Sequence, residues 1–544
     1  MPTAMTRLSG SSKSSLPSFR TADPVTRRRF LAAAGGSAAG LAFALRPTAR
    51  AHADGRIRAD PFTIGVASGD PRPDGVLIWT RLAPQPLAVD AGLSPKSSYQ
   101  VRWEVATDER FRTVVARGSA TASPEESYSL HVDVTGLRPG RDYWYRFRCR
   151  NHLSPVGRTR TAPAPDSAPA LRFAFASCMN YRAGYFHTMR DAAEQDLDVM
   201  FFLGDYLYEY PIEQLPVGRR IAADLPAEVV PMLATLDQYR LRYALYKLDP
   251  DLQNAHRMMP WVLTWDDHEF VNDYETDARD DLDRRAAAYR AYWENMPLRR
   301  PQRPRGSDAR LYRRIDWGRT AQFDVLDTRQ YRDPETAVSP APDEGERRDP
   351  DRTVLGAEQE RWLADSFGRR PVRWNFVAQQ ILMARLNTAA DDQPTVFSPG
   401  TWDGYQASQQ RMFDLVSTNL RRQQVRNFCS LGGDVHCSYV SDLMADTLDP
   451  ESELIGVDIT SPSISSAQDF DPVANEKRQV RRRMNASLRW ADLHCGYDIC
   501  DVTAERIRFD IRVVDKVSRD DSPVSTGASF TVEDGVPGYV DDHR

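Results

Sequence analysis

The chain has 544 residues and a formal net charge of −5, with acidic and basic residues mixed along its length. This length is sufficient for two or three domains with a large core. The charge argues against nucleic acid as the main partner, because binding to a phosphate backbone requires a basic face. Six cysteines occur without a CxxC pair, which argues against a zinc finger. Cys495 and Cys500 could pair in an oxidising compartment, although their spacing alone does not show a disulfide.

The first pattern in the chain is a twin arginine followed by a short apolar run. Arg27 and Arg28 form a twin arginine, and Phe30-Leu31 follows one residue later. The weakly apolar run 31–45 is shorter than the roughly 20 residues of a membrane span, and small residues at 49–53 offer cleavage sites. The pattern predicts a Tat signal over residues 1–53, recognition by the Tat export machinery, and a secreted, periplasmic or cell-wall location. An Arg-rich disordered tail is the alternative. No later apolar run reaches membrane length, so no transmembrane segment is expected after cleavage.

Residues 54–161 have the pattern of a small all-β domain. β-rich runs at 76–80, 99–106, 129–134 and 143–147 alternate with Gly, Pro and Asp. The segment from Leu137 to Tyr143 resembles the E–F corner of a fibronectin-type sandwich. We therefore expect a fibronectin/Ig-like domain here, followed by a Pro- and Ala-rich linker at 162–170.

Residues 171–544 have the pattern of an α/β domain. A strand at 171–176, a helix at 185–195 and a strand at 199–203 form a βαβ unit, which predicts at least partly parallel strands. Further strands are predicted at 261–264, 321–326, 374–378 and 427–431, further helices at 282–296, 357–367 and 408–419, and a β-hairpin at 497–514. The charged, proline-bearing segment 335–352 is predicted to be a surface loop.

Polar residues follow four of these strands, at the end where ligands bind in parallel α/β sheets. The four segments are Ser177-Cys178, Gly204-Asp205-Tyr206-Leu207-Tyr208-Glu209, Asp266-Asp267-His268-Glu269 and Asp434-Val435-His436. Each has an ordinary explanation, as a small buried hydrophobe, a cap or a turn. Together they favour a metal site, because three carboxylates beside a histidine repel one another without a cation. Two of the nine histidines lie in these segments.

These segments also resemble a known family. Gly204-Asp205, Asp267-His268-Glu269 and Gly433-Asp434-Val435-His436 are similar to the calcineurin-like metallophosphatase signature, with Cys178, Asp267 and Asp434 as departures from it. These three departures, together with segments 62–71 and 326–331, resemble the PhoD-like alkaline phosphatase/phosphodiesterase family. The resemblance covers almost all of the chain after the predicted signal. The resemblance implies an α/β fold: a four-layer metallophosphatase-type β-sandwich flanked by helices and preceded by the fibronectin-like domain.

The resemblance also implies the cofactors, Fe³⁺ beside Ca²⁺. Cys178 and Tyr208 match the iron ligands and Asp205 matches the bridging carboxylate. Thiolate and phenolate suit trivalent iron, whereas carboxylates suit calcium. The other candidate metal ligands, whose division among the ions stays open, are Asp266, Asp267, Asn272, Asp434 and His436. His268 matches a non-ligand position and is the candidate catalytic residue, as proton donor to the leaving oxygen or as a phosphate contact. A role as ligand or turn-stabilising side chain stays open.

The expected activity is hydrolysis of phosphate monoesters, diesters or both, in small molecules or polymers. Clustered cations would cancel the charge of the ester and lower the pKa of the attacking oxygen nucleophile. The chain has no G-x-S-x-G elbow and no P-loop, which weakens the case for a serine hydrolase or a nucleotide kinase. Two alternatives stay open. One is a phospholipase D-like phosphodiesterase acting on phospholipid head groups, an activity that some members of the family show. The other is an extracellular binding protein with an adhesive fibronectin-like domain.

Overall fold

The structure is a computed structural model that describes residues 57–274, 281–336, 344–389, 396–446, 449 and 451–543. The predicted Tat signal at 1–53 lies outside these residues, as does part of the charged segment 335–352. The described residues form a mixed α/β protein. Among its helices, none combines the length and the apolar character that crossing a membrane requires.

The strands and helices are numbered here in chain order. The strands are β1 (Val66–Arg72), β2 (Gly75–Arg81), β3 (Tyr99–Ala106), β4 (Val114–Ala122), β5 (Ser129–Thr135), β6 (Asp142–Cys149), β7 (His152–Leu153), β8 (Gly157–Arg160), β9 (Leu171–Ala176), β10 (Val199–Phe202), β11 (Pro260–Leu263), β12 (Arg313–Trp317), β13 (Ala321–Val325), β14 (Trp374–Ala378), β15 (Phe428–Gly432), β16 (Ser438–Met444), β17 (Leu454–Thr460), β18 (Leu488–Asp492), β19 (Cys495–Val502), β20 (Arg506–Val514), β21 (Val524–Glu533) and β22 (Asp541–His543). The helices are α1 (His187–Glu194), α2 (Leu236–Lys247), α3 (Pro250–Met258), α4 (Leu282–Asn295), α5 (Glu344–Arg347), α6 (Gly356–Ser366), α7 (Gln406–Arg421) and α8 (Pro472–Met484).

Two large sheets form the centre of the protein. In the described residues, the first sheet has the order β22-β21-β20-β19-β9-β10-β11-β1-β2-β5, and the second has the order β12-β13-β14-β15-β17-β16-β18. Strands β9, β10 and β11 are parallel neighbours in the first sheet, and β13, β14 and β15 are parallel neighbours in the second. The predicted βαβ unit, formed by β9, α1 and β10, is therefore confirmed.

Apolar side chains fill the space between the two sheets and cover the outer face of each. Between the sheets, the ring centroids of Phe173 and Phe323 lie 5.1 Å apart, and those of Phe323 and Phe376 lie 4.6 Å apart. Helices α1 to α4 pack on the outer face of the first sheet, and α6 and α7 pack on the outer face of the second. The parallel strands are thus buried on both faces, which explains their largely apolar sequences.

The N-terminal region adds a third sheet and part of the first. β3, β4, β6, β7 and β8 form the third sheet, and a separate apolar core lies between it and the strands β1, β2 and β5. The hydroxyl of Tyr143 accepts a hydrogen bond from the backbone N of Arg138 at 2.9 Å, as in a tyrosine corner. Because β1 pairs in parallel with β11, the first sheet crosses the predicted boundary between 54–161 and 171–544. The division into domains stays a prediction.

The structure bears on the predicted cysteine pairing and on the predicted surface loop. All six cysteines are buried free thiols, so Cys495 and Cys500 are not paired. Both lie on β19 five positions apart, and successive side chains of a strand point to opposite faces. The expectation of a surface loop at 335–352 agrees with the exposure of most residues described at 345–352, but the segment is not all loop, because it contains the short helix α5. Arg347 on this helix is buried, and its Nε donates to the backbone oxygen of Asp403 at 2.6 Å.

Candidate metal centre

The candidate site lies where four strands end. The parallel strands β9, β10 and β11 are followed by Cys178, Asp205 and Asp266. In the second sheet, β15 is followed by Asp434. The carboxyl ends of neighbouring parallel strands lie at one edge of a sheet, which is where side chains from several loops can converge. The loops that the sequence pattern selected are therefore the loops that meet.

Two glycines allow these loops to approach one another closely. A Cβ atom on Gly204 would lie 2.4 Å from both the Cβ and the backbone N of Asp266. A Cβ atom on Gly433 would lie 2.5 Å from the Oγ of Ser177. Gly204 thus permits the contact between the β10 and β11 loops, and Gly433 permits the contact between the β15 and β9 loops.

Four candidate ligands have a left-handed backbone. The φ angle is 61° at Cys178, 55° at Asp205, 66° at Asp434 and 51° at His436. Positive φ is uncommon outside glycine and costs on the order of 1–3 kcal/mol per residue. Such strain persists only where the surrounding structure holds it, and it is typical of functional sites.

The first group of possible ligands combines a thiol, a phenol, a carboxylate and an imidazole. Ligand atoms of Cys178, Asp205 and His436 lie within 4.8 Å of one another. The Tyr208 hydroxyl donates to Oδ2 of Asp205 at 2.9 Å and lies 3.0 Å from Nε2 of His436. Tyr208 in turn accepts a hydrogen bond from Oγ of Ser466 at 2.8 Å. These four ligand types can surround a single cation.

Two aspartates connect this group to two others. Ligand atoms of Asp205, Asp267 and His268 lie within 4.8 Å of one another, and so do those of Asp266, Asp267 and Asp434. Because Asp205 and Asp267 each belong to two groups, the predicted ligands other than Asn272 form one continuous cluster.

Asn272 lies on the loop after β11, which also carries Asp266 and Asp267, but its side chain is outside these contacts. Its side chain is exposed, and its Nδ2 donates to the carboxylate of the neighbouring Asp273. Its backbone N donates to Oε1 of Glu209 at 3.0 Å, and the backbone N of Asp273 donates to Oδ2 of Asp267 at 2.6 Å. The structure therefore places Asn272 beside the cluster, with its amide engaged by a neighbour, and its role as a ligand stays a prediction.

A buried arginine, which the sequence patterns did not indicate, lies among the carboxylates. Arg329 is 1% exposed, its Nε donates to Oδ1 of Asp266, and its Nη2 donates to Oδ1 of Asp434 at 2.6 Å. Nη2 also lies 3.8 Å from Oδ2 of Asp267. Arg329 follows β13, so the rule of strand ends that selected the other loops would have found it if applied to this fifth strand.

A buried glutamate holds two of the loops together. Glu269, which is 1% exposed, accepts hydrogen bonds from the backbone N of Asp205 at 3.0 Å and from that of Asp266 at 2.9 Å. Its carboxylate therefore ties the loop after β10 to the loop after β11. The sequence placed Glu269 in a motif but gave it no role.

His268 is held by a second glutamate. Its Nδ1 lies 2.7 Å from Oε2 of Glu209, and its ring lies 4.0 Å from the ring of Tyr208, centroid to centroid. Burial lowers the pKa of His268, but the charges of Asp205 and Asp267 and the hydrogen bond to Glu209 outweigh it and raise the pKa to about 10. The contacts fix the plane of the ring and favour a proton on Nδ1.

Burial opposes ionisation of several of the candidate metal ligands. Burial, with a smaller contribution from the charge of Asp205, raises the pKa of the Cys178 thiol and the Tyr208 hydroxyl well above their usual values. Burial also raises the pKa of Asp205 and lowers that of His436 to about 4. Acidic groups outnumber basic ones in this cluster, so cations would relieve the repulsion, and the mixture of sulfur, nitrogen and oxygen ligands fits metal ions.

Comparison of the sequence with protein families gives two matches. A family model described as PhoD-like phosphatase matches residues 173–511, and one described as PhoD-like phosphatase, N-terminal domain, matches residues 48–163. Alkaline phosphatase D of Bacillus subtilis (strain 168) is 40% identical over 521 residues, which cover 93% of this chain and 87% of the relative.

Solved structures are similar as well. The structure of PhoD has a TM-score of 0.82 and 38% identity, covering 90% of this chain and 94% of that chain. A purple acid phosphatase, PPD1 from yellow lupin seeds, has a TM-score of 0.53 and 13% identity over 86% of this chain and 73% of that chain. The latter is a likeness of fold alone, and both agree with the mixed α/β, metallophosphatase-like fold. The chain belongs to the PhoD-like phosphatase family and is a phosphoric ester hydrolase rather than an extracellular binding protein.

Proposed function

We propose that the protein is a secreted, metal-dependent phosphoesterase that hydrolyses phosphate monoesters, diesters or both and releases phosphate. The observation that carries this proposal is the continuous cluster in which Asp205 and Asp267 each belong to two groups of possible ligands. A shared carboxylate can bridge neighbouring cations, and neighbouring cations suit an anionic phosphate.

The first group of ligands is proposed to hold Fe³⁺. Cys178 and Tyr208 offer a thiolate and a phenolate, which are strong anionic ligands for a trivalent ion, and Asp205 and His436 lie beside them. Burial raises the pKa of the Cys178 thiol and of the Tyr208 phenol, so a bound cation would be what stabilises their deprotonated forms.

The remaining carboxylates are proposed to hold Ca²⁺. Asp266, Asp267 and Asp434 present oxygen atoms, which calcium prefers, and Asn272 stays a predicted ligand at the rim. Bound cations of these two kinds would offset the charge of the ester and make an oxygen nucleophile available near neutral pH.

His268 is proposed to move the proton of the reaction. A ring nitrogen of His268 lies within 4.8 Å of carboxylate oxygens of Asp205 and Asp267, so the imidazole borders the position that a phosphate would occupy. Glu209 fixes the ring through Nδ1, which leaves Nε2 to protonate the leaving oxygen or to contact a phosphate oxygen.

The proposal extends to the architecture and the location. The two packed sheets with outer helices are interpreted as the metallophosphatase-type β-sandwich, and residues 54–161 as a fibronectin-like domain before it. Residues 1–53 are interpreted as a Tat signal that directs the protein to the periplasm, the cell wall or the medium.

Three substrates assayed side by side test the activity. Protein loaded with iron and calcium is offered p-nitrophenyl phosphate, bis-p-nitrophenyl phosphate and phosphatidylcholine. We expect hydrolysis of the first, the second or both, its loss after chelation, and its recovery when both metals return. A preference for phosphatidylcholine would favour the phospholipase D-like alternative. No hydrolysis of any of the three by fully loaded protein would overturn the proposal.

Colour tests the identity of the metal. A phenolate on Fe³⁺ should give a charge-transfer band in the visible spectrum, and Tyr208→Phe should remove it. Tyr243→Phe is the matched control, because Tyr243 is fully buried in α2 and belongs to the core beneath the first sheet. A colourless, active wild type would contradict the assignment of iron.

A further inference from the structure

Helix α2 makes polar contacts with three of the loops that carry candidate metal ligands. The hydroxyl of Tyr246 accepts a hydrogen bond from the backbone N of Tyr181, on the loop after β9, at 3.0 Å. It accepts a second one from the backbone N of Tyr208, on the loop after β10, at 3.2 Å. The hydroxyl of Tyr239 donates to the backbone oxygen of Phe270, on the loop after β11, at 2.7 Å. One helix therefore contacts the loops that follow three neighbouring parallel strands.

The contacting side chains lie on one face of α2 and are completely buried. Tyr239, Arg242 and Tyr246 are spaced by three and four residues, which places them on the same side of an α-helix. The exposed fraction of each of the three is 0%. Buried polar groups need hydrogen-bond partners, and backbone groups of the metal-binding loops supply them here.

Arg242 makes the largest number of these contacts. Its Nη1 donates to the backbone oxygen of Tyr208 at 2.5 Å and to that of Tyr210 at 2.7 Å. Its Nη2 donates to the backbone oxygen of Val229 at 3.1 Å and to that of Pro231 at 3.0 Å. Burying a guanidinium is costly unless it is hydrogen-bonded, and charged donors make strong hydrogen bonds. The four contacts join two parts of the connection between β10 and α2, and the first part carries a candidate iron ligand.

Both backbone polar groups of Tyr208 are therefore held by α2. Its N–H donates to Tyr246, and its carbonyl oxygen accepts from Arg242. The phenol oxygen is at the far end of the side chain, so a small rotation of this backbone would move it relative to Asp205 and His436. The ligands of a metal site need to be held within roughly 0.5 Å of their working positions. Fixing the peptide groups on both sides of Tyr208 restricts this movement.

The same contacts act on Glu209. Arg242 holds the backbone oxygens of the residues on either side of it, Tyr208 and Tyr210. The carboxylate of Glu209 lies 2.7 Å from Nδ1 of His268. A shift of this segment would therefore move the histidine that is proposed to transfer the proton, together with the proposed iron ligand.

We propose that Arg242 and Tyr246 are positioning residues, which fix the backbone of Tyr208 and thereby set the geometry of its phenolate on iron. The inference rests on the proposed function, which assigns Fe³⁺ to the group that contains Cys178 and Tyr208. Removing a residue that orients a metal ligand typically weakens metal binding by roughly 10–100-fold. The two residues are therefore expected to affect the iron without binding it.

Two tyrosines on the same helix provide a matched test. Tyr246→Phe keeps the ring and removes the acceptor for the N–H of Tyr208. Tyr243→Phe is the control, because Tyr243 is also fully buried in α2 and its hydroxyl has no hydrogen-bond partner among the residues that the structure describes. We expect Tyr246→Phe to shift the maximum of the charge-transfer band and to raise the dissociation constant for Fe³⁺ by roughly 10–100-fold. Competition with a chelator measures the dissociation constant, and Tyr243→Phe should change neither quantity.

The wavelength of the band separates positioning from stability. A variant that is only less stable loses absorbance as protein unfolds, but the band of its folded fraction stays at the same wavelength. Arg242→Lys keeps the charge, but its single ammonium cannot replace a forked guanidinium at four oxygens, so we expect a shift here as well. Arg81→Lys is the control, because Arg81 is buried and its Nε donates at 2.9 Å to the backbone oxygen of Ser127, on a segment without candidate ligands.

The outcomes separate this inference from the proposed function. If wild-type protein is coloured and Tyr246→Phe and Arg242→Lys match their controls in wavelength and iron affinity, the positioning role is overturned while the iron site stands. If Arg242→Lys does not fold, the comparison of Tyr246→Phe with Tyr243→Phe decides alone. If wild-type protein binds no iron, the proposed assignment of Fe³⁺ fails and the positioning role fails with it.

Discussion

The Nη2 atom of Arg329 donates to Oδ1 of Asp434 at 2.6 Å, and the Nε atom of the same side chain donates to Asp266. One buried guanidinium thus joins the loop after β11 in the first sheet to the loop after β15 in the second. Its positive charge neutralises part of the acidic cluster. Removing one partner of a buried pair costs about 3–5 kcal/mol, because the other partner stays charged and unpaired.

Replacing Arg329 should make stability depend strongly on calcium. In Arg329→Met, Asp266 and Asp434 lose their counter-charge, so we expect a large fall in melting temperature in chelator and recovery of most of it with added Ca²⁺. Thermal unfolding over a calcium titration measures both. Arg313→Met is the control, because the Nη2 of Arg313 pairs at 2.7 Å with Asp70, which is not a candidate metal ligand. If the melting temperature of Arg329→Met fell by the same amount with and without calcium, the assigned role of Arg329 would be contradicted.

His268→Asn tests the proton donor. General acid catalysis contributes roughly 10²–10⁴-fold, and an alkoxide leaving group needs it far more than p-nitrophenolate does. We therefore expect the variant to lose much more kcat on an alkyl phosphate than on p-nitrophenyl phosphate, with metal content unchanged. Loss of metal would instead indicate a ligand. If the hydrolysis of both esters slowed equally while the metal content stayed unchanged, His268 would be a phosphate contact and would not be the general acid.

Cys178→Ala tests the thiolate ligand. Cys178 and Cys429 are both completely buried, but only Cys178 has its sulfur near other possible metal ligands. Cys178→Ala should fold, lose iron and lose most activity, because a strong anionic ligand is gone. Cys429 lies in the core between the sheets. The Cys429→Ala variant should therefore lose some stability and keep its metals. Elemental analysis of both variants is the measurement, and full iron content in Cys178→Ala would reject the ligand.

Lys247 should give the protein a pH-dependent stability. Its Nζ is buried 3.2 Å from the Tyr206 hydroxyl, and burial, with the charge of Arg81, lowers its pKa to about 7. In the unfolded chain it stays protonated up to about pH 10. Folding therefore releases a proton between these values, and the free energy of unfolding rises with pH across this window.

Lys247→Met is expected to be more stable than the parent at pH 7 and below. The advantage should shrink by about 1.4 kcal/mol per pH unit as pH rises from 7 to 10, because only the parent gains stability there. Urea unfolding at several pH values measures the difference. Lys96→Met, at an exposed position, should show no such trend, and a constant difference for Lys247→Met would refute the explanation.

The Tat assignment depends on the arginine pair. Arg27 and Arg28 changed together to Lys should leave folded precursor in the cytoplasm, because the pathway recognises the guanidinium pair. Both positions are changed because Arg29 could partly substitute for a lost neighbour. Fractionation of cells that express each form is the measurement. Unimpaired secretion of the double variant would show that another route is used.

Local pattern was sufficient to predict the central strands and insufficient for several helices. β9 and β14 have the predicted bounds because each is a short, largely apolar run that is mostly buried. Helix α2 escaped prediction, although Thr235 and Gln238 form a capping box at its start. Its buried residues include Arg242 and Lys247, so charged residues interrupt the apolar stripe that reveals most helices.

The same limit applies to the site. The strand-end motifs identified most of the side chains that meet, because the carboxyl ends of neighbouring parallel strands lie at one edge of a sheet. Arg329 also follows a strand, but arginine is common in this chain, and its role depends on Asp266 and Asp434, which lie far away in sequence. The pairing of β1 with β11 is likewise a long-range contact that leaves no local pattern.

The order of strands in the first sheet also constrains how the protein is made. Strands β9, β10 and β11 at its centre are flanked by β1 from one end of the chain and by β19 from the other. The β9 edge of these three strands cannot pair with β19 until Cys495–Val502 has left the ribosome. Pairing between segments this distant is slow, and an unpaired apolar strand invites aggregation in the meantime. A chain of this topology therefore needs time to fold in the cytoplasm after synthesis is complete. The proposed Tat route exports proteins that are already folded, so it would allow the sheet to close before export.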